Sequence, residues 1–548
     1  MTKQNSEKGG LGTKVVIIII AAVMLSAALM PFADNAEADY TALGDAGDIW
    51  DGTVAAAFSD GDGSSTDPFM ICDGTELARM RADVNAGINA NSYYKLANDI
   101  YLNNTGGWED WDTIPPVNSW TPIGTSADPF KGNFDGDGYA VYGIYIPVAS
   151  GAAGDYKGLF GYVNNGTISD LGIEQSYIGG RNYVGGIAGH IRNYSEITNC
   201  YNAATVQGTG FRIGGIAGQV YDHSVVTYCY NVGAISGISA SSNSIGGIVG
   251  ILNVSSVLAN CYNMGDIEGD RVGGVAGQMN NLAVLINCYN AGLVKGTNAG
   301  GVVGYTITSQ VQNVYNTGMV DSATGGNIIG ANSTAGTTAY DVYYLIGSGR
   351  PTAVGGVADS VITGSSDPPF DIAGDLTSGG TLKDAMNAGQ SAADTLLASY
   401  GIVCDDWIGD KYPILASMAV KVSLLYSDNG TASISPAEDN LAKGTAFTVT
   451  VAPGTDCIKW TVKDNGVLVL DDTDATFTYK FVAHKGHLID VSFKVEETGP
   501  VIGPIPDPDV KGGTVSATFL VILAALIIFG VLFIGWLYKR RKDEEDPK

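Results

Sequence analysis

Between residues 184 and 318 short apolar stretches alternate with glycine and asparagine in a fixed order, five times over. Each copy opens on an apolar residue and two glycines: VGGIAG at Val184, IGGIAG at Ile213, IGGIVG at Ile245, VGGVAG at Val272 and AGGVVG at Ala299, with starts 29, 32, 27 and 27 residues apart. Each continues into a second apolar segment: ITNCYNAATVQG from Ile197, VTYCYNVGAISG from Val226, LANCYNMGDIEG from Leu258, LINCYNAGLVKG from Leu285 and VQNVYNTGMVDS from Val311. With the Cys200 position as zero, the residues three before and six after are aliphatic in every copy, so one side of each segment faces inward. A period of this length marks a unit that cannot bury its apolar side alone and stacks on its own copies. Short β segments broken by Gly and Asn then predict an all-β, right-handed parallel β-helix, one three-sided coil per repeat, with coils about 4.8 Å apart.

Stacking turns each phase into a ladder. Asn202, Asn231, Asn263, Asn290 and Asn316 are expected at a bend, where an amide bonds the copies above and below and the backbone tolerates the left-handed region. Cys200, Cys229, Cys261 and Cys288 share one phase and are expected as an internal column of free thiols, since in-register parallel neighbours rarely reach the disulfide dihedral. Tyr201, Tyr230, Tyr262, Tyr289 and Tyr315 have the opposite parity and belong outside or at a corner. That column is the candidate binding face, because aromatic rings suit sugars and protein hot spots; the alternative is a ladder that only shields the bend.

Both ends of the repeat show helical spacing. Residues 75–86 carry Leu77, Met80 and Val84 with Gly87 as a stop, which predicts a helix over the first coil. Residues 382–400 are expected to cover the last coil in the same way. From 420 to 495 the period is lost, and strands alternate around turns such as Asp428-Asn429-Gly430 and Asp464-Asn465-Gly466.

GLFG at Gly158 and the GGIAG-type cores resemble the GLUG-motif repeats of bacterial and archaeal surface proteins. The flanks agree: DGSSTDPFMICDGTELARM from Asp62, YKLANDIYL from Tyr94, WTPIG from Trp120, FKGNFDGDGYAVYGIYI from Phe130 and DDWIGDKYPIL from Asp405. The resemblance covers roughly residues 50–416 and implies a parallel β-helix on a cell surface, often in adhesins. SISPAEDNLAKGTAFTVTVAPGTDCIKWTV from Ser433 is similar to divergent internalin-type B-repeats, which implies a small β spacer or interaction module. The expected organisation is a lead-in and cap at 39–157, repeats at 158–345, a C-terminal cap region at 346–416 and the small β domain at 420–495.

Composition narrows the partners. The chain has 29 basic and 56 acidic residues, a formal charge of −27, and phosphate binding needs clustered Lys and Arg, so nucleic acid is excluded as a partner. Gly contributes 75 of 548 residues, which disfavours long helices. Lys3, Lys8 and Lys14 precede an apolar run over 15–30 and Ala36-Glu37-Ala38, which reads as a secretory signal over 1–38, with an uncleaved anchor as the alternative. An uncharged apolar run over 514–538 is long enough to span a bilayer and is followed by Lys539, Arg540, Arg541 and Lys542. The expectation is a single-pass membrane protein with its ectodomain outside, a Pro/Gly-rich stalk at 496–513 and a cytoplasmic tail at 539–548.

Chemistry is sparse. Seven cysteines include no CxxC pair and no nearby His, so no zinc site is expected. Some GLUG-bearing proteins are IgA-type metallopeptidases, but HExxH is absent, and His484 and His487 flank a Lys-Gly pair that reads as a solvated turn. Asp60-Gly61-Asp62-Gly63 and Asp135-Gly136-Asp137-Gly138 lack the bidentate Glu of a calcium loop and read as turns. Arg181, Arg192, Arg212 and Arg271 are scattered through the repeats. No catalytic residue, metal or cofactor is assigned. The expected role is non-catalytic adhesion or interaction with glycans or proteins of other cells; the alternatives are a carbohydrate-active enzyme (polysaccharide lyase or hydrolase) and a structural envelope protein.

Overall fold

The computed structural model describes residues 49–332, 337–344, 382–408 and 414–495, apart from short internal stretches. The expected signal, stalk, span and tail, residues 346–381 of the expected cap and most of the turns at 428–430 and 464–466 lie outside the described residues. Among the described residues no helix is long and apolar enough to cross a membrane.

The repeat folds as a parallel β-solenoid of about ten turns, its described strands forming sheets of 16, 10 and 7 strands. In one turn, Ala188–Arg192 joins the seven-stranded sheet, Glu196–Thr198 and Tyr201–Asn202 the sixteen-stranded sheet, and Thr205–Gly208 and Phe211–Gly214 the ten-stranded sheet. Register follows the sequence alignment: Ile197, Val226, Leu258, Leu285 and Val311 are successive partners, as are Val206, Ile235, Ile267, Val294 and Val320. Both columns are buried in one continuous core. Each coil is therefore stabilised mainly by the apolar area it shares with its neighbours.

The second glycine of each opening motif has a steric reason. A Cβ on Gly247 would lie 2.2 Å from the Gly274 carbonyl oxygen and 2.4 Å from Cγ of Asn263. The space across the coil belongs to the asparagine column, so the GG pair and the asparagine some 15 residues later in the unit are two halves of one packing solution.

A helix α1, Gly74–Asn85, closes the N-terminal end. The Asp73 side chain caps it by accepting from the backbone N–H groups of Thr75 and Glu76 at 2.8 and 3.0 Å, and Leu77, Met80 and Val84 enter the solenoid core. The second helix, α2 (Leu382–Ala398), corrects the expectation of a matching end cap. It lies along the sixteen-stranded flank, where Ala393, Leu397 and Cys404 pack on Val257, Ala259, Val284 and Ile286. Those four residues are apolar on the outer side of their strands, and a flank apolar on both sides needs a cover. The small β domain contains a four-stranded and a three-stranded sheet around Val449, Val451, Val462, Ile489, Val491 and Phe493.

Candidate binding face

The tyrosine column stands outside the solenoid core, on the sixteen-stranded flank. Rings of Tyr201, Tyr230, Tyr262, Tyr289 and Tyr315 stack with centroid separations of 5.1, 5.1, 4.8 and 4.9 Å and interplanar angles of 11°, 5°, 6° and 2°. These separations are the coil spacing itself, because in-register parallel strands carry like residues one strand apart.

The column is not an open surface, which corrects its expected role as the binding face. Leu382, Met386, Trp407, Ile414, Leu415, Met418 and Ala442 pack over it, leaving Tyr201 half-buried and the other four buried. The Trp407 ring lies 6.0 and 5.5 Å from the rings of Tyr289 and Tyr315. Tyr262 donates to the Lys443 carbonyl at 2.6 Å, and Gly444, at φ 84°, leaves room for the Tyr230 ring. At the far end His484 stacks on Tyr201 at 4.1 Å, with Nδ1 2.6 Å from the Tyr230 hydroxyl and Nε2 2.9 Å from Glu174. His484 is therefore a docking residue and not a solvated turn. Burial pushes the phenols of Tyr262 and Tyr315 well above their ordinary range, so they remain neutral donors.

The polar ladders hold the coils in phase. Each amide of Asn202, Asn231, Asn263 and Asn290 donates to the next asparagine Oδ1 at 2.7 to 2.8 Å and to the carbonyl two residues ahead in its own coil. These residues are buried, and Asn316 ends the row. The left-handed backbone expected there lies instead three residues earlier, at Asn199, Tyr228, Asn260, Asn287 and Asn313, with φ between 51° and 56°. These residues form a second, outer ladder that the sequence reading missed. Asn287 donates to Asn260 and Asn313 to Asn287 at 2.7 and 2.8 Å, while Asn260 and Asn287 also hold the carbonyls of Val403 and Asp405. The repetition of Asn just before the cysteine phase was its signal, interrupted by Tyr228.

Cys200, Cys229, Cys261 and Cys288 are buried, free thiols in the core. Each donates to the carbonyl two residues earlier at 3.1 to 3.2 Å, and the Cys229 and Cys261 sulfurs accept from the N–H of the preceding coil's cysteine. Burial pushes the Cys200 and Cys261 thiols far up, which keeps them protonated and unreactive.

Other candidates separate by environment. Asp135 and Asp137 flank Lys95 at 3.6 and 3.0 Å, and Asp62 accepts from the N–H of Ser64 within a turn. Arg181 is paired with Asp155 at 2.7 Å. Arg192 and Arg212, scattered in sequence, come together beside His190 and several tyrosines, while Arg271 lies two coils further on against Tyr305 and Gln278.

Residues 180–207 match the family model for the GLUG motif. A protein of Evansella cellulosilytica, provisionally named a Gly-rich membrane protein, is 30% identical over 149 residues, 26% of this chain and 15% of that protein. Halomucin of Haloquadratum walsbyi is 30% identical over 161 residues, 29% of this chain and 2% of halomucin. The matches thus span a small part of both relatives. A solved Bacteroides ovatus structure, provisionally named an immunoglobulin A1 protease, aligns over 66% of this chain and 95% of that one, at a TM-score of 0.42 and 19% identity. With the matched unit recurring in register through the coils, this chain is a parallel β-solenoid that carries the GLUG motif.

Proposed function

We propose that the chain is a membrane-anchored cell-surface protein that binds glycans or proteins of other cells without catalysing a reaction. The observation that carries this reading is the seven-stranded side of the solenoid. Its strands, from Phe160–Asn164 to Ile329–Asn332, pair edge to edge in register, so outward side chains of successive coils stand in straight rows about 4.8 Å apart. The covering segment lies on another flank, and Tyr162, Arg192, Tyr221 and Tyr305 keep part of their surface in solvent. A rigid rod with a repeated, partly exposed aromatic and polar side suits recognition of an extended partner. Anchorage is supported by the apolar run over 514–538 with four basic residues after it, and by a relative named a membrane protein.

The test uses intact cells that carry the full chain with a tag at residue 500. Protease added outside should remove the tag, and deletion of the gene should reduce attachment to other cells or to a polysaccharide-coated surface. A tag protected until the cells are lysed, or unchanged attachment after deletion, would overturn the reading.

A further inference from the structure

Two rows of side chains that point away from the core run side by side where the seven-stranded and ten-stranded sheets meet. One passes through Tyr162, His190, Gln219, Ile251, Gln278 and Tyr305. The other lies along the ten-stranded sheet, one residue before Lys157, Val184, Ile213 and Ile245, and contains Tyr156, Tyr183, Arg212 and Ser244; Arg271 continues it one residue before Val272, where a register shift pairs it with Asn243. Within these rows the rings stack along the rod axis: Tyr156 on Tyr183 at 4.6 Å and Tyr162 on His190 at 4.7 Å. The Arg212 guanidinium lies 4.5 Å from the Tyr183 ring and bonds its hydroxyl; that of Arg271 lies 4.5 Å from the Tyr305 ring and 3.4 Å from Gln278 Oε1. Arg192 donates to the Tyr162 hydroxyl at 3.4 Å.

Stacking along the axis turns ring faces toward each other and ring edges outward. What the strip offers a partner is therefore the part-exposed phenols, the Arg212 and Arg271 guanidinium groups and the Gln278 amide, with Gln219, Ser244 and Ile251 buried between them. None of the three arginines has a carboxylate at ion-pair distance among the described residues. In a chain of charge −27, that leaves Arg212 and Arg271 without an ion-pair partner among the described residues, while Arg192 feels the charge of Asp222. Beneath it His190 is only 8% exposed, and neither ring nitrogen has a partner.

We propose that this strip binds an acidic linear polysaccharide, its carboxylates held by Arg212 and Arg271 and its hydroxyls by the adjoining phenols and amides. The inference rests on the binding role argued above and names its ligand class. Two features favour a glycan over an acidic peptide. The strands of this side are already paired on both edges along the strip, so a peptide cannot add as a further strand and loses its main source of affinity. Arg212 and Arg271 lie two coil steps apart, on the order of 10 Å at about 4.8 Å per step, a spacing suited to acid groups on alternate sugars of an extended chain. Planar guanidinium groups also bond carboxylates in pairs.

The full chain is measured by biolayer interferometry against immobilised polygalacturonate, its methyl ester and polyglutamate. Polygalacturonate should bind at least tenfold more tightly than either other polymer and weaken steeply with salt. The Arg212→Gln, Arg271→Gln double variant should lose at least tenfold at an unchanged thermal midpoint, whereas Lys295→Gln should bind as the parent does. A second measurement needs no variant: polygalacturonate should shield Arg212 and Arg271 from phenylglyoxal, read by peptide mass. Absence of binding, equal binding to the ester or to polyglutamate, full binding by the double variant, or no shielding each overturns the proposal. Cell attachment by the double variant equal to the parent's would overturn the strip while sparing the wider reading; absence of attachment by the parent would remove both.

Discussion

At the residue scale, the inner asparagine ladder and one buried histidine each hold the coils in a measurable way. Asn263 gives two hydrogen bonds and receives one in a buried ladder. Asn263→Ala strands donors and acceptors on both neighbouring coils and should cost about 2–4 kcal/mol, at about 1–3 per unsatisfied group; a denaturant midpoint within error of the parent's would contradict the ladder. His190 is enclosed by Tyr156, Tyr162, Tyr183 and Tyr221, and burial, then Arg192 and Arg212, push its ring down to about 3. An unfolded chain takes up this proton near pH 6.5. The neutral ring thus supports the fold fully above that pH, and the support is lost as pH falls from about 6.5 to 3. His190→Phe keeps the stack without the proton, so its thermal midpoint should fall less between pH 7 and pH 4 than the parent's; parallel declines would refute the assignment. The inner asparagines were legible because every copy shows them. The gathering of Arg192 and Arg212 around His190 was not, since a coil of 27 to 32 residues places side-by-side groups far apart in the chain.

At the element scale, the coils were readable and the covering segment was not. Each strand meets its own homologue one repeat away, so alignment reveals register. The described residues of 382–444 instead meet coils at separations that follow no repeat, such as 92 residues between Trp407 and Tyr315 and 118 between Asp405 and Asn287, and no period records such a contact. The residues that expose it in hindsight are Val257, Ala259, Val284 and Ile286, apolar where a solvated flank needs polar groups. Trp407 is the anchor of this cover, buried against Tyr289 and Tyr315. Trp407→Ala should cost about 3–5 kcal/mol, as large aromatic truncations do, and should speed amide hydrogen exchange across 382–408 before the core strands respond. Exchange confined to global unfolding in both proteins would show that segment and solenoid melt as one unit.

At the scale of the whole molecule, the cover and the rod constrain each other. Removing residues 257–283 joins Ser256 to Val284, which occupies the register position of Val257, so the ladders can close again across the junction. It also shortens by one step the flank on which Trp407 and His484 must both seat. That deletion should leave the β circular dichroism spectrum in place while making residues 382–444 sensitive to limited proteolysis. Removal of 167–195 joins Gly166 to Glu196 in the same way, takes only Glu174 from the His484 contact, and should leave the segment resistant. Equal sensitivity would mean that the cover does not measure the flank. Tandem units of near-identical sequence invite unequal recombination, which adds or drops copies. A segment bonded at both ends of a fixed run of units makes copy number there a heritable constant, and directs length variation among descendants toward the coils before Tyr201.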